Sequence, residues 1–86
     1  MYCVYILESK SDKGWYIGYT ANLKQRLRDH LTKHGGKTTS RKDDWVLIYY
    51  EAYLIKLDAL GRERSLKSGA GHRFIRKQLK HYFNNY

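Results

Sequence analysis

The sequence predicts an α/β (α+β) fold, a central three-stranded sheet with an antiparallel N-terminal hairpin, flanked by helices, in the order β-β-α-β-α-α. Three observations carry that reading. Three runs, Tyr2–Glu8, Trp15–Thr20 and Trp45–Tyr53, are rich in the β-branched and aromatic residues that suit a pleated, half-buried surface. Three other stretches repeat apolar residues at helical spacing. No proline, internal repeat, low-complexity tract or linker interrupts the 86 residues, so 1–86 read as one domain.

In chain order, Tyr2–Glu8 is the first strand, and Ser9-Lys10-Ser11-Asp12-Lys13-Gly14 has turn chemistry. Trp15–Thr20 returns as its hairpin partner. Asn22 with Gln25 three residues on has the capping-box pattern that opens a helix. Leu23, Leu27 and Leu31 give that helix an apolar stripe, and Gly35-Gly36 is expected to stop it. Residues 37–44 form a polar, basic loop. Trp45–Tyr53 is apolar on both alternating faces except Glu51, which predicts a central strand. A second helix is expected from about Leu57 to Lys67, with Gly69-Ala70-Gly71 as its terminator. In the last helix Phe74, Ile75, Leu79, Tyr82 and Phe83 share one face, while Arg73, Arg76, Lys77 and Lys80 lie largely off it.

Seventeen Lys and Arg against eight Asp and Glu give a formal charge of +9. In so small a chain that excess favours a polyanionic partner, nucleic acid above all. Nine of the thirteen aromatic residues are Tyr, which combine stacking area with a hydroxyl; most of them are expected to be half-buried strand residues. Candidates to track a phosphate backbone are Lys24, Lys37, Arg41, Lys42, Lys67 and Arg73. One cysteine, Cys3, excludes an internal disulfide and a multi-Cys zinc site. Apolar runs are far short of the ~18 residues that span a bilayer. No secretory signal is visible, so a cytoplasmic location without membrane partners is the default expectation.

The informative positions are polar residues where packing asks for apolar ones. On the first helix, Arg26 and His30 are one turn apart on a flank of the leucine stripe rather than on the solvated back. They either cover the core edge or face a site. On the second helix Ala59, Leu60 and Leu66 define the apolar sector, Glu63 projects into its middle, and Asp58, Arg62 and Ser65 occupy the other side. A carboxylate there is costly unless paired or metal-bound. Either Arg26 or a divalent cation would answer the charge. Tyr5 and Tyr16 sit on the two hairpin strands, and Gly18 inside the second strand marks a close backbone approach.

These residues resemble the GIY-YIG nuclease superfamily. Cys3-Val4-Tyr5, ten residues, then Tyr16-Ile17-Gly18, Thr20, Asn22-Leu23, Arg26 and His30 follow its pattern, and Glu63 with Leu66-Lys67 is similar to its downstream signature. Cys3 and Val4 depart from the usual Gly and Ile. The resemblance covers essentially the whole chain, in the compact form of small stand-alone bacterial members related to the N-terminal nuclease domain of the repair protein UvrC. It implies phosphodiester hydrolysis in nucleic acid, DNA ahead of RNA, with one divalent cation, Mg²⁺ or Mn²⁺. By that resemblance Tyr5, Tyr16, Arg26, His30 and Glu63 form the catalytic constellation, with Glu63 as the metal ligand. Arg26 would fork onto phosphate oxygens, and Tyr16 would orient water or phosphate. Tyr5 or His30 would take the nucleophile's proton. An unperturbed phenol, at about pH 10, needs nearby cationic charge for that task, whereas imidazole, at about 6.5, is already matched. The other reading is a nucleic-acid-binding module without cleavage of its own, or dependent on a protein partner that supplies targeting.

Other motifs carry less. His30 and His34 have the spacing of a helical zinc pair but lack the following Glu and a third ligand. No phosphate-binding Gly-Lys-Ser/Thr loop occurs.

Overall fold

The structure, a computed structural model, describes residues 1–31 and 44–85, the side chains at 30 and 31 excepted. Its elements are β1 (Tyr2–Ser9), β2 (Trp15–Thr20), α1 (Leu23–Leu31), β3 (Trp45–Tyr53), α2 (Lys56–Leu66), α3 (Gly69–Gln78) and α4 (Lys80–Asn85). The three strands form an antiparallel sheet in the order β2-β1-β3. The α+β class and the hairpin are therefore as the sequence predicts.

The central strand is β1, not β3. Every residue of β1 after Tyr2 is buried, whereas β3 is mostly half-exposed. The apolar character of Trp45–Tyr53 on both faces has another cause: helices cover both sides of the sheet. Successive β1 side chains alternate between two cores. Val4 and Ile6 pack with Ala59, Leu66 and Ile75 beneath α2 and α3. Tyr5 and Leu7 pack with Trp45, Leu47, Tyr16 and the α1 residues Leu23 and Leu27. A register shift between Ile6 and Leu7 pairs them with Tyr49 and Leu47, so β3 feeds both cores.

Local chemistry explains most boundaries. The hairpin loop closes with Ser9 N–H donating to Gly14 O at 2.8 Å and Lys13 N–H to Ser9 O at 2.9 Å. Lys13 takes a positive φ of 62° there. The Asp44 carboxylate accepts Ser11 N–H at 2.7 Å and Ser9 Oγ at 3.1 Å, tying this loop to the start of β3. Asn22 caps α1, its Oδ1 accepting Gln25 N–H at 3.1 Å. Gln25 turns instead to Asp29 Oδ1 at 3.0 Å, so only half of the capping box forms.

The glycines after α2 open the next helix rather than end the previous one. Ser68 caps α3 by accepting Gly71 N–H at 3.1 Å. A Cβ at Gly71 would lie 2.3 Å from Ser65 O and 2.5 Å from Leu66 Cα. The residue is glycine because two helix backbones touch at the corner. The expected last helix breaks at Leu79 (φ −104°, ψ 35°) into α3 and α4. Its apolar face still reaches the core through Ile75, Leu79 and Phe83. Phe74 departs from that face: it is 43% exposed at the rim, its ring 4.7 Å from the Arg62 guanidinium. Gly35-Gly36 and residues 37–43 of the basic loop lie outside the described residues. Among the described residues, no helix is long and apolar enough to cross a membrane.

Candidate active site

Tyr5 faces Gly18 directly across the β1–β2 ladder. A Cβ at Gly18 would stand 2.5 Å from the Tyr5 hydroxyl and 2.6 Å from Cζ. The ring thus lies flat over the edge strand in space that only glycine leaves open. Although fully buried as a residue, Tyr5 carries its hydroxyl to the sheet edge. Arg26 meets it there from α1, Nε donating to the phenol oxygen at 3.3 Å. Tyr16 joins from β2, its ring stacked 6.3 Å from that of Tyr5, and its hydroxyl is a further partner of Arg26. The Arg26 guanidinium is held above its ordinary range, first by the hydrogen bond to Tyr5. The flank of α1 identified from helical spacing therefore points into a polar cluster, not along the core edge.

Burial pushes the Tyr5 phenol above its ordinary value. The Arg26 hydrogen bond and charge pull it down, Tyr16 and Glu63 push it up, and the balance stays raised. Cationic help is present, as tyrosine acting as a base requires, but desolvation outweighs it. The His30 side chain lies outside the described residues; its backbone belongs to α1.

Glu63 approaches from α2, close enough for its charge to act on Tyr5. Its side chain is 23% exposed and its ion pair is with Lys67 Nζ at 3.5 Å, one turn along. Arg26, the partner that the sequence suggested, is engaged with the phenols instead. A half-buried carboxylate whose one ion pair among the described residues is long and to an exposed lysine suits a hard cation such as Mg²⁺, which uses few protein carboxylates and completes its shell with water and phosphate oxygens. Among the described residues no group of three or more His, Cys, Asp or Glu forms a cluster able to enclose a metal. Lys24, Lys67 and Arg73 are exposed, while Lys37, Arg41 and Lys42 lie outside the described residues.

Sequence reasoning missed a second polar cluster on the opposite face of the sheet. Glu51 of β3 accepts the hydroxyls of Tyr49 at 2.5 Å and Tyr53 at 2.6 Å, and both Nε (2.8 Å) and Nη2 (3.1 Å) of Arg62. Arg62 therefore turns to the sheet, away from the solvated side of α2 where helical spacing put it, and directly precedes Glu63. Burial raises the Glu51 carboxyl, but the bonds from Arg62, Tyr49 and Tyr53 outweigh it and hold the group below the usual carboxylate range. The available signal was Glu51 itself, the lone charge in an otherwise apolar strand.

The half-buried Glu63 carboxylate thus stands near a phenol–guanidinium cluster at the edge of a three-stranded sheet, and comparison with known proteins gives the class to which this chain belongs. Residues 1–74 match the GIY-YIG catalytic domain, and the chain belongs to that family of nucleases, which generally use a divalent metal. It is 37% identical over 65 residues to the UPF0213 protein HQ_3675A of Haloquadratum walsbyi, covering 76% of this chain and 72% of that one. The UPF0213 protein SH2523 of Staphylococcus haemolyticus is also 37% identical over 65 residues, covering 76% and 78%. The solution structure of the UPF0213 protein BH0048 from Bacillus halodurans aligns with TM-score 0.57 at 30% identity, covering 92% of this chain and 86% of that chain.

Proposed function

We propose that this protein, read as one nuclease domain over residues 1–86, is a divalent-metal-dependent endonuclease that hydrolyses phosphodiester bonds in DNA. The observation that supports this most is the Tyr5 phenol, seated over Gly18 and contacted by Arg26, with Tyr16 beside it and the Glu63 charge in reach. Glu63 would hold Mg²⁺ or Mn²⁺, which when bound supplies charge relief at the phosphoryl oxygens. Arg26 donates to the phosphate from one side while its Nε fixes the phenol. Tyr16 orients the attacked phosphate. His30 takes the proton from the attacking water, because the raised Tyr5 phenol is protonated at neutral pH; Tyr5 then positions the water and stabilises charge as a donor.

Cys3, where the family usually has Gly, gives weight to a second reading, in which the isolated domain binds nucleic acid and needs a partner protein to reach full activity. Nicking of supercoiled, branched and single-stranded DNA, and of an RNA hairpin, with Mg²⁺ or Mn²⁺ against EDTA separates the two. Metal-dependent nicking that disappears in Glu63→Ala supports the enzyme. Tight binding of the same substrates with no cleavage under any metal supports the partner-dependent module.

A further inference from the structure

An open cavity of about 280 Å³ lies beside Tyr16 on the outer edge of β2. Trp15, Tyr16 and Ile17 line it from the strand, and Lys67 and His72 from the corner between α2 and α3. Its volume is near the lower end for small-ligand sites, about 300–1,000 Å³. One wall is a fixed aromatic surface. The Trp15 indole is held by Nε1–H donating to the buried Glu8 carboxylate at 3.1 Å and by the Phe83 ring stacked 5.7 Å away, and the His72 ring, 4.7 Å from it at 36°, lines the cavity with it. Arg76 adds positive charge, its guanidinium 5.0 Å from the indole. At the mouth, the Lys67 side chain is 56% exposed and 3.5 Å from Glu63. An exposed pair of that length is weak, so Lys67 can swing to a competing anion at little cost.

We propose that this cavity holds the nucleotide next to the scissile phosphate, its base against the Trp15–His72 wall and its phosphate on Lys67. The chemistry argues for that occupant. A planar base uses aromatic surface whatever its identity, and a phosphate uses the cation at the mouth. The chain's +9 charge favours the same polyanion. Tyr16 lines both the cavity and the Tyr5–Arg26 cluster, so a strand crossing one runs directly into the other. Cation binding at Glu63 would free Lys67 for the phosphate, coupling the two events. The choice of this particular nucleotide rests on the nuclease reading; occupancy of the cavity by a nucleotide does not.

The test is binding in EDTA, where cleavage plays no part. Thymidine 5′-monophosphate, then a hexadeoxynucleotide, is titrated into the full chain with the indole N–H resonances of Trp15 and Trp45 followed by NMR. Trp45 is the reference, because it packs in the core beneath α1 on the other face of the sheet and meets the cavity only through the Tyr16 ring, 6.5 Å away edge-on. Trp15 and His72 signals are expected to shift clearly more than that of Trp45, with Lys67→Gln weakening the hexamer about tenfold and His72→Ala several-fold. An abasic residue at one position of the hexamer should cost the same factor in wild type and nothing further in His72→Ala. An unmoved Trp15, or equal hexamer affinity in Lys67→Gln and wild type, overturns the proposal. Binding as described without cleavage in Mn²⁺ would instead overturn the nuclease reading and leave the cavity assignment standing.

Discussion

Two clusters in this protein are made of the same three groups, phenol, guanidinium and carboxylate, and differ in which group sits at the centre. Around Glu51 the carboxylate is central: two phenols and both arms of Arg62 point at it. The phenols are locked as donors, and Tyr53, by burial and then by its bond to Glu51, is pushed up to about 12. At the sheet edge the phenol is central: Arg26 donates to Tyr5, and the carboxylate of Glu63 stands apart, paired among the described residues with Lys67. The first arrangement neutralises its charge internally and joins β3 to α2. The second leaves its carboxylate weakly committed, which is the condition for binding a cation, and holds its guanidinium beside that carboxylate on the phenols. Position within the cluster, not composition, separates a structural knot from a candidate site.

The difference is sharpest at the two carboxylates. Glu63→Ala is expected to lower metal-dependent cleavage by about 10³-fold or more with an unchanged melting temperature, since its ion pair is long and exposed. Glu51→Ala should do the reverse, lowering stability by about 1–3 kcal/mol through loss of charged hydrogen bonds. Parallel activity and thermal melts check both, and equal effects on melting would erase the contrast.

Next in size is Arg26→Ala, expected to reduce turnover by about 10²–10³-fold with a smaller effect on affinity. A loss confined to affinity would make Arg26 a plain phosphate contact. Gly18→Ala tests the phenol's seat without removing a polar group. The new methyl must displace the Tyr5 ring, and a misplaced group at a reacting centre costs about 10²-fold in rate.

Acid and base titrations give the smaller effects. A carboxylate held below its ordinary value contributes stability above the unfolded value, about pH 4.3, and loses it as pH falls through the folded value. Wild type should therefore lose stability more steeply than Glu51→Gln between about pH 5 and pH 3, measured by urea unfolding. For cleavage, if Tyr5 were the base, the rate would keep rising beyond about pH 10, because its phenol is raised. A profile without that rise, retained in Tyr5→Phe at lower amplitude, is expected if His30 is the base.

Much of this was legible beforehand for a physical reason. Strands and helices follow from short-range periodicity, so β1, β2, α1 and the capping role of Asn22 could be read directly. Gly18 was legible because glycine inside a strand needs an explanation, and Tyr5 supplies it. Sheet order was not, since burial on both faces looks the same in a central strand and in a strand roofed by two helix layers. The Gly69–Gly71 corner misled because glycine serves equally at a helix end and at a backbone crossing. Arg62 misled because a solvated arginine and one reaching a carboxylate across to a strand share the same helical angle.

The central place of β1 has a bearing on how the chain assembles. Pairing β1 with β2 needs only a short local turn, but its other edge waits for Trp45–Tyr53, and one of its two cores waits for Ile75. Loop closure over such separations is slow relative to hairpin formation. During synthesis the hairpin bearing Tyr5, Tyr16 and Gly18 would exist as a half-covered ribbon before α2 brings in the acid, so the proposed constellation is assembled only after Glu63 has been made.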